Sequence, residues 1–287
     1  MLSPGSSSLV NTKDQVHSRI IPGMMNLDLS LPNALKYRSR SQQAGTISES
    51  WIEREMYCPS CPSNGLHRLP RGTRVVDFKC DRCEEQYQIK STSKPVCNRV
   101  TDSEYYTMMK AIRSDSSPNL MLLHYSNESW RIRNLLLIPR HLIVSSVIKK
   151  RKPLRPGARR EGWTGCNILL TNIPISGRIF AVRDSVAREP GAVRMEWEGL
   201  RFIGGLESQS RRWLVDVLRC IQSMDRERFT LQEVYTRFEE ELGVLHPHNR
   251  NVRPKIRQQL QVLRDKGFVT FVGRGIYERT GRQTRSD

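Results

Sequence analysis

The chain has 287 residues, of which 47 are lysine or arginine and 29 are aspartate or glutamate, so its formal net charge at pH 7 is +18. A field of this sign favours polyanionic partners, above all nucleic acid. No apolar run approaches the roughly 18 residues of a membrane-spanning helix, and the length is enough for two domains with separate cores. The composition therefore excludes an integral membrane protein and a small disulfide-stabilised domain.

The two ends of the chain differ in composition from the middle. Residues 1–24 are rich in Ser, Gly and Pro and have no hydrophobic periodicity, which predicts a disordered extension. The first residues lack the basic and apolar segments of a secretory signal, so we expect a soluble, cytoplasmic protein. We place a boundary near Glu207, between an α/β domain over residues 25–206 and a second domain over residues 207–280, with a tail over residues 281–287.

Short strands and one clear helix alternate through the first domain. Residues 74–78 and 86–89 have the composition of β-strands, and the turn between them carries two cysteines. We expect Thr101 or Asp102 to cap the following helix, whose apolar side chains recur at i, i+3, i+4 and i+7. Two continuous apolar runs, LMLL and LLLI, predict central strands that are covered on both faces.

The second domain is predicted to contain three helices and a hairpin. Apolar stripes at helical spacing extend over residues 214–221, 231–238 and 256–263. A short β-like pair follows around Gly273–Gly275. Three helices followed by a hairpin are typical of a winged helix, which is a DNA-binding module.

Four cysteines form two CxxC pairs with eighteen residues between them: Cys58, Cys61, Cys80 and Cys83. Each pair can form a tight knuckle, and four thiolates complete the tetrahedral coordination of a structural zinc ion. We therefore assign Zn²⁺ to folding and not to catalysis; the alternative is four unrelated buried cysteines. The other three cysteines have no paired neighbour and are interpreted as small apolar residues: Cys97, Cys166 and Cys220.

An acidic residue and a lysine flank the second CxxC pair. Asp77 ends the first strand, and Gln88 and Lys90 lie on the same face of the next strand because side chains alternate along a strand. If the two strands pair, the three side chains converge. Oxygen ligands could then hold Mg²⁺ against a phosphate while the lysine stabilises charge. The pattern VVDF followed by QIK resembles the PD-(D/E)XK nuclease motif, although solvated surface residues are the alternative.

Longer segments resemble one family, the DpnI-like methyl-directed restriction endonucleases. The similarity is carried in order by CPSC, VVDFKCDRCEEQYQIKS, YYTMMK, SSPN, RKPLRPGARREGWTGCNI, KIRQQLQVLRDK and GRGIY, from about Tyr57 to Tyr277. The resemblance implies an α/β PD-(D/E)XK nuclease domain with an inserted zinc knuckle, followed by a winged-helix domain. It also implies cleavage of double-stranded DNA at GATC sites whose adenine is methylated on the exocyclic amine.

The resemblance also assigns roles to the motif residues. Asp77 matches the metal-binding aspartate and Lys90 the motif lysine, whereas Gln88 stands where the family has a glutamate. A neutral amide oxygen binds Mg²⁺ more weakly than a carboxylate and removes one negative charge. We expect Asp77 and Gln88 to hold Mg²⁺ and cleavage to persist. An alternative is that Glu84 or Glu85 supplies the missing ligand.

Several residues are candidates for DNA binding. By resemblance, Trp163 should touch the methylated base pair, where an aromatic surface can cover the methyl group; the alternative is a core tryptophan. The basic segment KKRKPLRPGARR is predicted to be an exposed loop that binds phosphates with Arg159 and Arg160, as does Arg274. The outward face of the third helix is predicted to contact base edges through Arg253, Lys255, Arg257, Gln258, Gln261 and Arg264.

Three functions are compatible with these features. The first is a methyl-directed endonuclease for GATC sites. The second is a methyl-DNA reader that has lost cleavage through Gln88. The third is a zinc-ribbon, winged-helix transcription factor without methyl preference. No heptad repeat or large apolar patch indicates an oligomer, so we expect a monomer.

Overall fold

A computed structural model of the chain describes residues 25–29, 39–70, 76–95 and 98–281. The extension predicted for residues 1–24 lies outside the described residues, as does the tail beyond residue 281. The first two residues of the strand predicted over residues 74–78, and the cysteine at position 97, are also outside them.

Among the described residues, the first domain combines two β-sheets with four α-helices. Its helices are α1 (Arg40–Glu55), α2 (Tyr105–Arg113), α3 (Pro190–Glu198) and α4 (Arg201–Gly204). Its strands are β1 (His67–Arg68), β2 (Phe78–Lys79), β3 (Gln86–Thr92), β4 (Arg99–Glu104), β5 (Asn119–Tyr125), β6 (Ile132–Ile138), β7 (Ile148–Lys150), β8 (Gly165–Leu169), β9 (Ile179–Arg183) and β10 (Val186–Ala187). Across the described part of the chain, no helix is long and apolar enough to cross a membrane.

The larger sheet has seven strands in the order β1-β2-β3-β5-β6-β9-β10. Strand β3 pairs in parallel with β5, and β5 pairs with β6 in antiparallel orientation. The two predicted apolar runs lie in β5 and β6, and every side chain of the runs LMLL and LLLI is buried. The prediction of central strands covered on both faces is therefore confirmed, and β3 lies directly beside this core.

The smaller sheet has the order β4-β8-β7. Side chains alternate along β4, so Arg99 and Thr101 are exposed while Asp102 is buried. Its partner strand β8 buries Cys166 opposite Asp102. The outer face of this sheet is consequently basic, and its inner face is packed against the rest of the domain.

One predicted helix cap is wrong. Thr101 and Asp102 belong to β4 and pair with β8, so neither of them caps α2. The cap is Glu104, whose carboxylate accepts hydrogen bonds from the backbone amides of Tyr106 and Thr107. These hydrogen bonds lower the pKa of Glu104, and the bond from the Tyr106 amide contributes most. Local capping preference was overridden because β8 supplies hydrogen-bond partners for the preceding segment.

The second domain has the element order of a winged helix. It contains α5 (Ser208–Gln222), β11 (Arg228–Thr230), α6 (Leu231–Leu245), α7 (Val252–Asp265), β12 (Val269–Gly273) and β13 (Ile276–Arg279). The strands form a sheet in the order β11-β13-β12. The predicted stripes face a common core, which includes the fully buried side chains of Leu218, Val234 and Leu260. The prediction of three helices and a hairpin is confirmed.

A buried polar network joins the two domains. Asp216 on α5 accepts a hydrogen bond from the Ser146 hydroxyl at 2.6 Å, and its other oxygen lies 2.9 Å from His246 Nε2. The Trp213 ring stacks on the imidazole of His246 with a centroid separation of 3.9 Å. Because buried polar groups are costly without partners, this network fixes how α5 contacts the first domain.

Candidate active site and nucleic-acid interface

The four cysteines of the CxxC pairs form one cluster. Their sulfur atoms all lie within 4.8 Å of one another, with 3.6 Å between Cys58 and Cys83 and 3.6 Å between Cys61 and Cys80. Four thiolates at such separations can occupy the corners of a tetrahedron around one ion. The cysteine cluster could therefore hold a metal ion, and four unrelated buried cysteines are not what the structure contains.

The thiols of the cysteine cluster have different surroundings. Burial raises the pKa of Cys58, and it raises the pKa of Cys83 to about 11. Burial also acts on Cys80, but hydrogen bonds from the backbone amides of Cys83 and Arg82 outweigh it and lower the pKa of Cys80 to about 7. A metal ion would compete with protons for all four sulfurs, because the thiolate is the ligand form.

The cysteine cluster is attached to β3 and α3. The Tyr87 hydroxyl on β3 lies 3.2 Å from Cys58 Sγ. From α3, Arg194 donates hydrogen bonds to the carbonyl oxygens of Cys58 and Ser63 at 3.0 and 2.9 Å. Tyr87 is buried and immediately precedes Gln88, so the cysteine cluster contacts the strand that carries the predicted catalytic residues.

The structure brings Asp77 beside β3. The Asp77 amide donates to the carbonyl of Tyr87 at 2.9 Å, and Asp77 Oδ2 accepts a hydrogen bond from the Ile89 amide at 2.8 Å. Phe78 pairs with Tyr87 in antiparallel register. The residue before Phe78, Asp77, therefore lies opposite the residue after Tyr87, Gln88. Residues directly opposite each other share a face of a sheet, so the predicted pairing of this segment with β3 is present.

Lys90, further along β3, is directed to the smaller sheet. Its Nζ lies 2.7 Å from Asp102 Oδ1, and the Asp102 side chain has no exposed surface. Sequence reasoning missed Asp102 as a site residue because it was interpreted as a helix cap. The signal that could have identified it is the alternation of β4, which sends Asp102 inward while its neighbours face solvent.

The alternative acidic ligands lie elsewhere. Glu84 forms an ion pair with Lys79. Glu85 accepts a hydrogen bond from the Asn119 side chain at 2.8 Å and lies 3.6 Å from Arg140. Both carboxylates are engaged away from Asp77, so the interpretation that either one replaces the motif glutamate is not supported by their contacts.

Trp163 lies in the loop between β7 and β8. It is half-buried and lies outside the hydrophobic core, so it is not the core tryptophan that was the alternative. A Cβ on Gly165 would stand 2.8 Å from the Trp163 ring. Gly165 therefore makes room for the Trp163 ring.

Basic side chains surround this loop. Arg159 and Arg160 are exposed, as predicted for the loop, although Lys149 and Lys150 belong to strand β7. A cleft on the outer face of the smaller sheet is lined by Arg99, Thr101, Lys149, Lys150, Arg151, Lys152 and Asn167. Its chemistry suits an anionic ligand such as a phosphodiester backbone.

The exposed face of α7 carries most of the predicted base-contacting residues. Arg257, Gln258 and Gln261 are exposed, and Lys255 is half-buried. The two remaining arginines have acidic partners, since Arg253 pairs with Glu239 and Arg264 with Asp265. Arg274 is exposed in the turn between β12 and β13, where Gly275 adopts a positive φ of 71°.

Two family models match the chain in succession. The Dam-replacing family, DpnI, matches residues 25–205, and the Dam-replacing helix-turn-helix domain matches residues 209–279. The first match covers more than half of the chain, and the second covers the three helices and the hairpin that follow. The resemblance inferred from the sequence is confirmed, and the matches support a DNA-acting role.

Proposed function

Since the chain belongs to the Dam-replacing family, we propose that it is a Mg²⁺-dependent endonuclease that cleaves double-stranded DNA at GATC sites with a methylated adenine amine. Support comes from the placement of Asp77 beside Gln88 on β3, in a chain whose second domain has the element order of a winged helix. The PD-(D/E)XK identity of this domain, its cytoplasmic location, its monomeric state and the boundary near residue 207 are parts of the same proposal.

The donor set at β3 suits a hard cation. Asp77 uses one carboxylate oxygen for the Ile89 amide, and its other oxygen has no hydrogen bond among the described residues. With the amide oxygen of Gln88 it would hold Mg²⁺, which prefers oxygen ligands. Such an ion stabilises negative charge on a phosphodiester during hydrolysis. Lys90 would donate to the scissile phosphate and stabilise the charge that develops there.

The cysteine cluster would hold Zn²⁺ as a structural ion. Four thiolates leave no open coordination position, so this ion supplies no chemistry of its own. Its effect would be on β3, because Tyr87 contacts Cys58 and precedes Gln88 in the strand. The zinc site would thereby keep Asp77 and Gln88 at a fixed separation.

Two surfaces would read the DNA. Trp163, half-buried beside the basic loop of Arg159 and Arg160, would cover the adenine methyl group, with about 1 kcal/mol or less available from one methyl. The exposed face of α7 would contact base edges in the major groove, where arginine suits guanine and glutamine suits adenine. Arg274 would bind a phosphate from the hairpin.

The decisive experiment compares fully methylated and unmethylated GATC plasmids incubated with the purified protein and Mg²⁺. We expect cleavage of the methylated plasmid alone and its loss in Asp77→Ala. Asp184→Ala, which removes an aspartate of the turn between β9 and β10, serves as the matched control and should cut normally. Cleavage that persists in Asp77→Ala would contradict the assigned site.

A second function is favoured by one observation, the neutral Gln88. In this alternative the protein binds methylated DNA without cutting it, because the site lacks one carboxylate. Gln88→Glu separates the two functions. A non-cutting reader should gain cleavage or Mg²⁺ affinity from this variant, whereas an active nuclease already cuts with glutamine. Equal binding to methylated and plain DNA would instead indicate a transcription factor without methyl preference.

A further inference from the structure

The Asp102 carboxylate is a buried charged group without a hydrogen bond among the described residues. Both of its oxygens are inaccessible to solvent, and neither has a hydrogen-bond donor. Lys90 Nζ, at 2.7 Å from Oδ1, has the distance of an ion pair without the angles of a hydrogen bond. A buried carboxylate with one cationic partner is costly to keep charged, so its contact with Lys90 demands an explanation.

The alternation of β4 directs Asp102 inward, and the strand becomes irregular directly after it. The register between β4 and β8 shifts between Asp102 and Glu104, which marks a β-bulge at Ser103. Bulges redirect neighbouring side chains and are frequent next to active sites. Here Asp102 pairs with Cys166 before the bulge and faces inward, while Glu104 follows the bulge and caps α2. The larger sheet supplies Lys90 and the smaller sheet supplies Asp102, so the ion pair bridges the two sheets.

Among the described residues, the acid paired with Lys90 is Asp102. Asp77 Oδ2 is instead bonded to the Ile89 amide, and Glu85 is held by Asn119. Gln88, two residues before Lys90 on the same strand face, is neutral. In a motif with glutamate at this position, a carboxylate would stand beside the lysine. In this chain the carboxylate beside the lysine comes from β4.

We propose that Asp102 is the positioning residue of Lys90 and replaces the counter-charge that Gln88 cannot provide. The inference rests on the proposed function, since it deepens the role of Lys90 in phosphodiester hydrolysis. The ion pair holds the Lys90 ammonium group against Asp102, between the two sheets. The Lys90 side chain remains 30% exposed, so it can still contact a phosphate. Preorganisation of this kind lowers the reorganisation needed during reaction.

The first test needs no nuclease activity. The full-length protein is treated briefly with an acetylating reagent at fixed pH, and the modification rate of Lys90 is measured by mass spectrometry relative to Lys255. We expect Asp102→Asn to raise the Lys90 rate about three- to tenfold, because an ion pair of roughly 1 kcal/mol no longer holds the amine. Glu104→Gln is the matched control and should leave this rate unchanged. An unchanged rate in Asp102→Asn overturns the proposal.

Moving the carboxylate from position 102 to position 88 tests directly whether Asp102 replaces the counter-charge. In the double variant Gln88→Glu with Asp102→Asn, a carboxylate returns on the same face of β3 as Lys90. We expect the acetylation rate of Lys90 to fall back toward the wild-type value. A rate that stays at the level of Asp102→Asn alone would show that the two carboxylate positions are not equivalent, and the replacement of counter-charge would be wrong.

The catalytic consequence is measured by single-turnover cleavage of methylated plasmid. We expect Asp102→Asn to lower the rate about tenfold or more with unchanged DNA affinity, and Asp102→Glu to restore part of it. In a Lys90→Ala background, Asp102→Asn should have no further effect. Additive losses accompanied by weaker DNA binding would indicate a purely structural role. If the wild-type protein does not cut, the proposed function fails, and the acetylation ratios alone decide whether Asp102 holds Lys90.

Discussion

Helix α7 and strand β3 both present polar side chains beside a buried core, but they depend differently on the rest of the chain. On α7, helical periodicity alone places Ile256 and Leu260 inside and Arg257 and Gln261 outside. On β3, the surroundings of Lys90 are set by residues from another strand and another sheet. The comparison shows that a surface can be encoded within one element, whereas a site with buried charge requires several elements to meet.

The variant with the largest expected effect should unfold the domain that contains β3 and leave the domain that contains α7 folded. Structural zinc contributes on the order of 10 kcal/mol in isolated zinc-finger peptides. We therefore expect Cys58→Ser to abolish zinc binding and the cooperative unfolding of the first domain, while α5–α7 keep their helical signal. Metal content and thermal unfolding followed by circular dichroism measure both quantities. Cys166→Ser, a buried cysteine outside the cysteine cluster, is the control. Wild-type zinc content in Cys58→Ser would contradict the assignment.

The next variant acts at the contact between the two domains. Asp216→Asn replaces one acceptor oxygen with an amide donor, so Ser146 loses its acceptor or His246 must move its ring proton from Nε2. An unsatisfied buried partner costs roughly 1–3 kcal/mol. We expect a loss of about 2 kcal/mol in the free energy of unfolding, measured by urea denaturation. Asp225→Asn, which changes an exposed aspartate paired with Arg237, should change stability by no more than about 0.5 kcal/mol. Equal effects of the two variants would argue against the interdomain network.

A substitution on α7 should change binding without changing the fold. Arg257 is exposed and has no ion pair among the residues described, so Arg257→Ala should leave the unfolding transition unchanged. If it contacts a base edge, affinity for a GATC duplex should fall by about 1–3 kcal/mol. Titration at fixed salt checks this. Arg237→Ala on α6 removes the same charge from another helix, and an equal loss there would indicate a general electrostatic effect.

The smallest effect tests whether the start of α6 is stabilised locally. The Thr230 hydroxyl accepts from the Glu233 amide, and Glu233 accepts from the Thr230 amide, which forms a capping box. We expect Thr230→Ala to cost about 1 kcal/mol in the unfolding of the second domain. Thr236→Ala, within the same helix and exposed, is the control and should be close to neutral. A similar loss in both would show that the cap has no special role.

The same capping box predicts a dependence on pH. Hydrogen bonds from the backbone and side chain of Thr230 lower the pKa of Glu233. A carboxylate whose pKa is lowered on folding contributes stability that is present above the usual glutamate pKa and is lost as pH falls through the lowered value. Glu233→Gln should therefore flatten the acid limb of the stability profile. A limb of unchanged slope would contradict this cause.

The sequence by itself determined those features in which the information is local. Periodicity identified the three helices of the second domain and the strands β5 and β6, because burial of one face or both faces follows directly from the spacing of apolar residues. The two CxxC pairs identified the cysteine cluster, since a knuckle needs only a few consecutive residues. Longer motifs identified the family.

Only the tertiary structure decided the contacts between distant segments. Asp102 had the local character of a helix cap, yet its pairing with β8 made it a buried strand residue and the partner of Lys90. Trp163 had glycines on both sides, and the fold used Gly165 to accommodate its own ring. The physical reason is the same in both cases. The free energy of a charged or aromatic side chain depends on what covers it, and the covering groups come from parts of the chain that no local pattern connects.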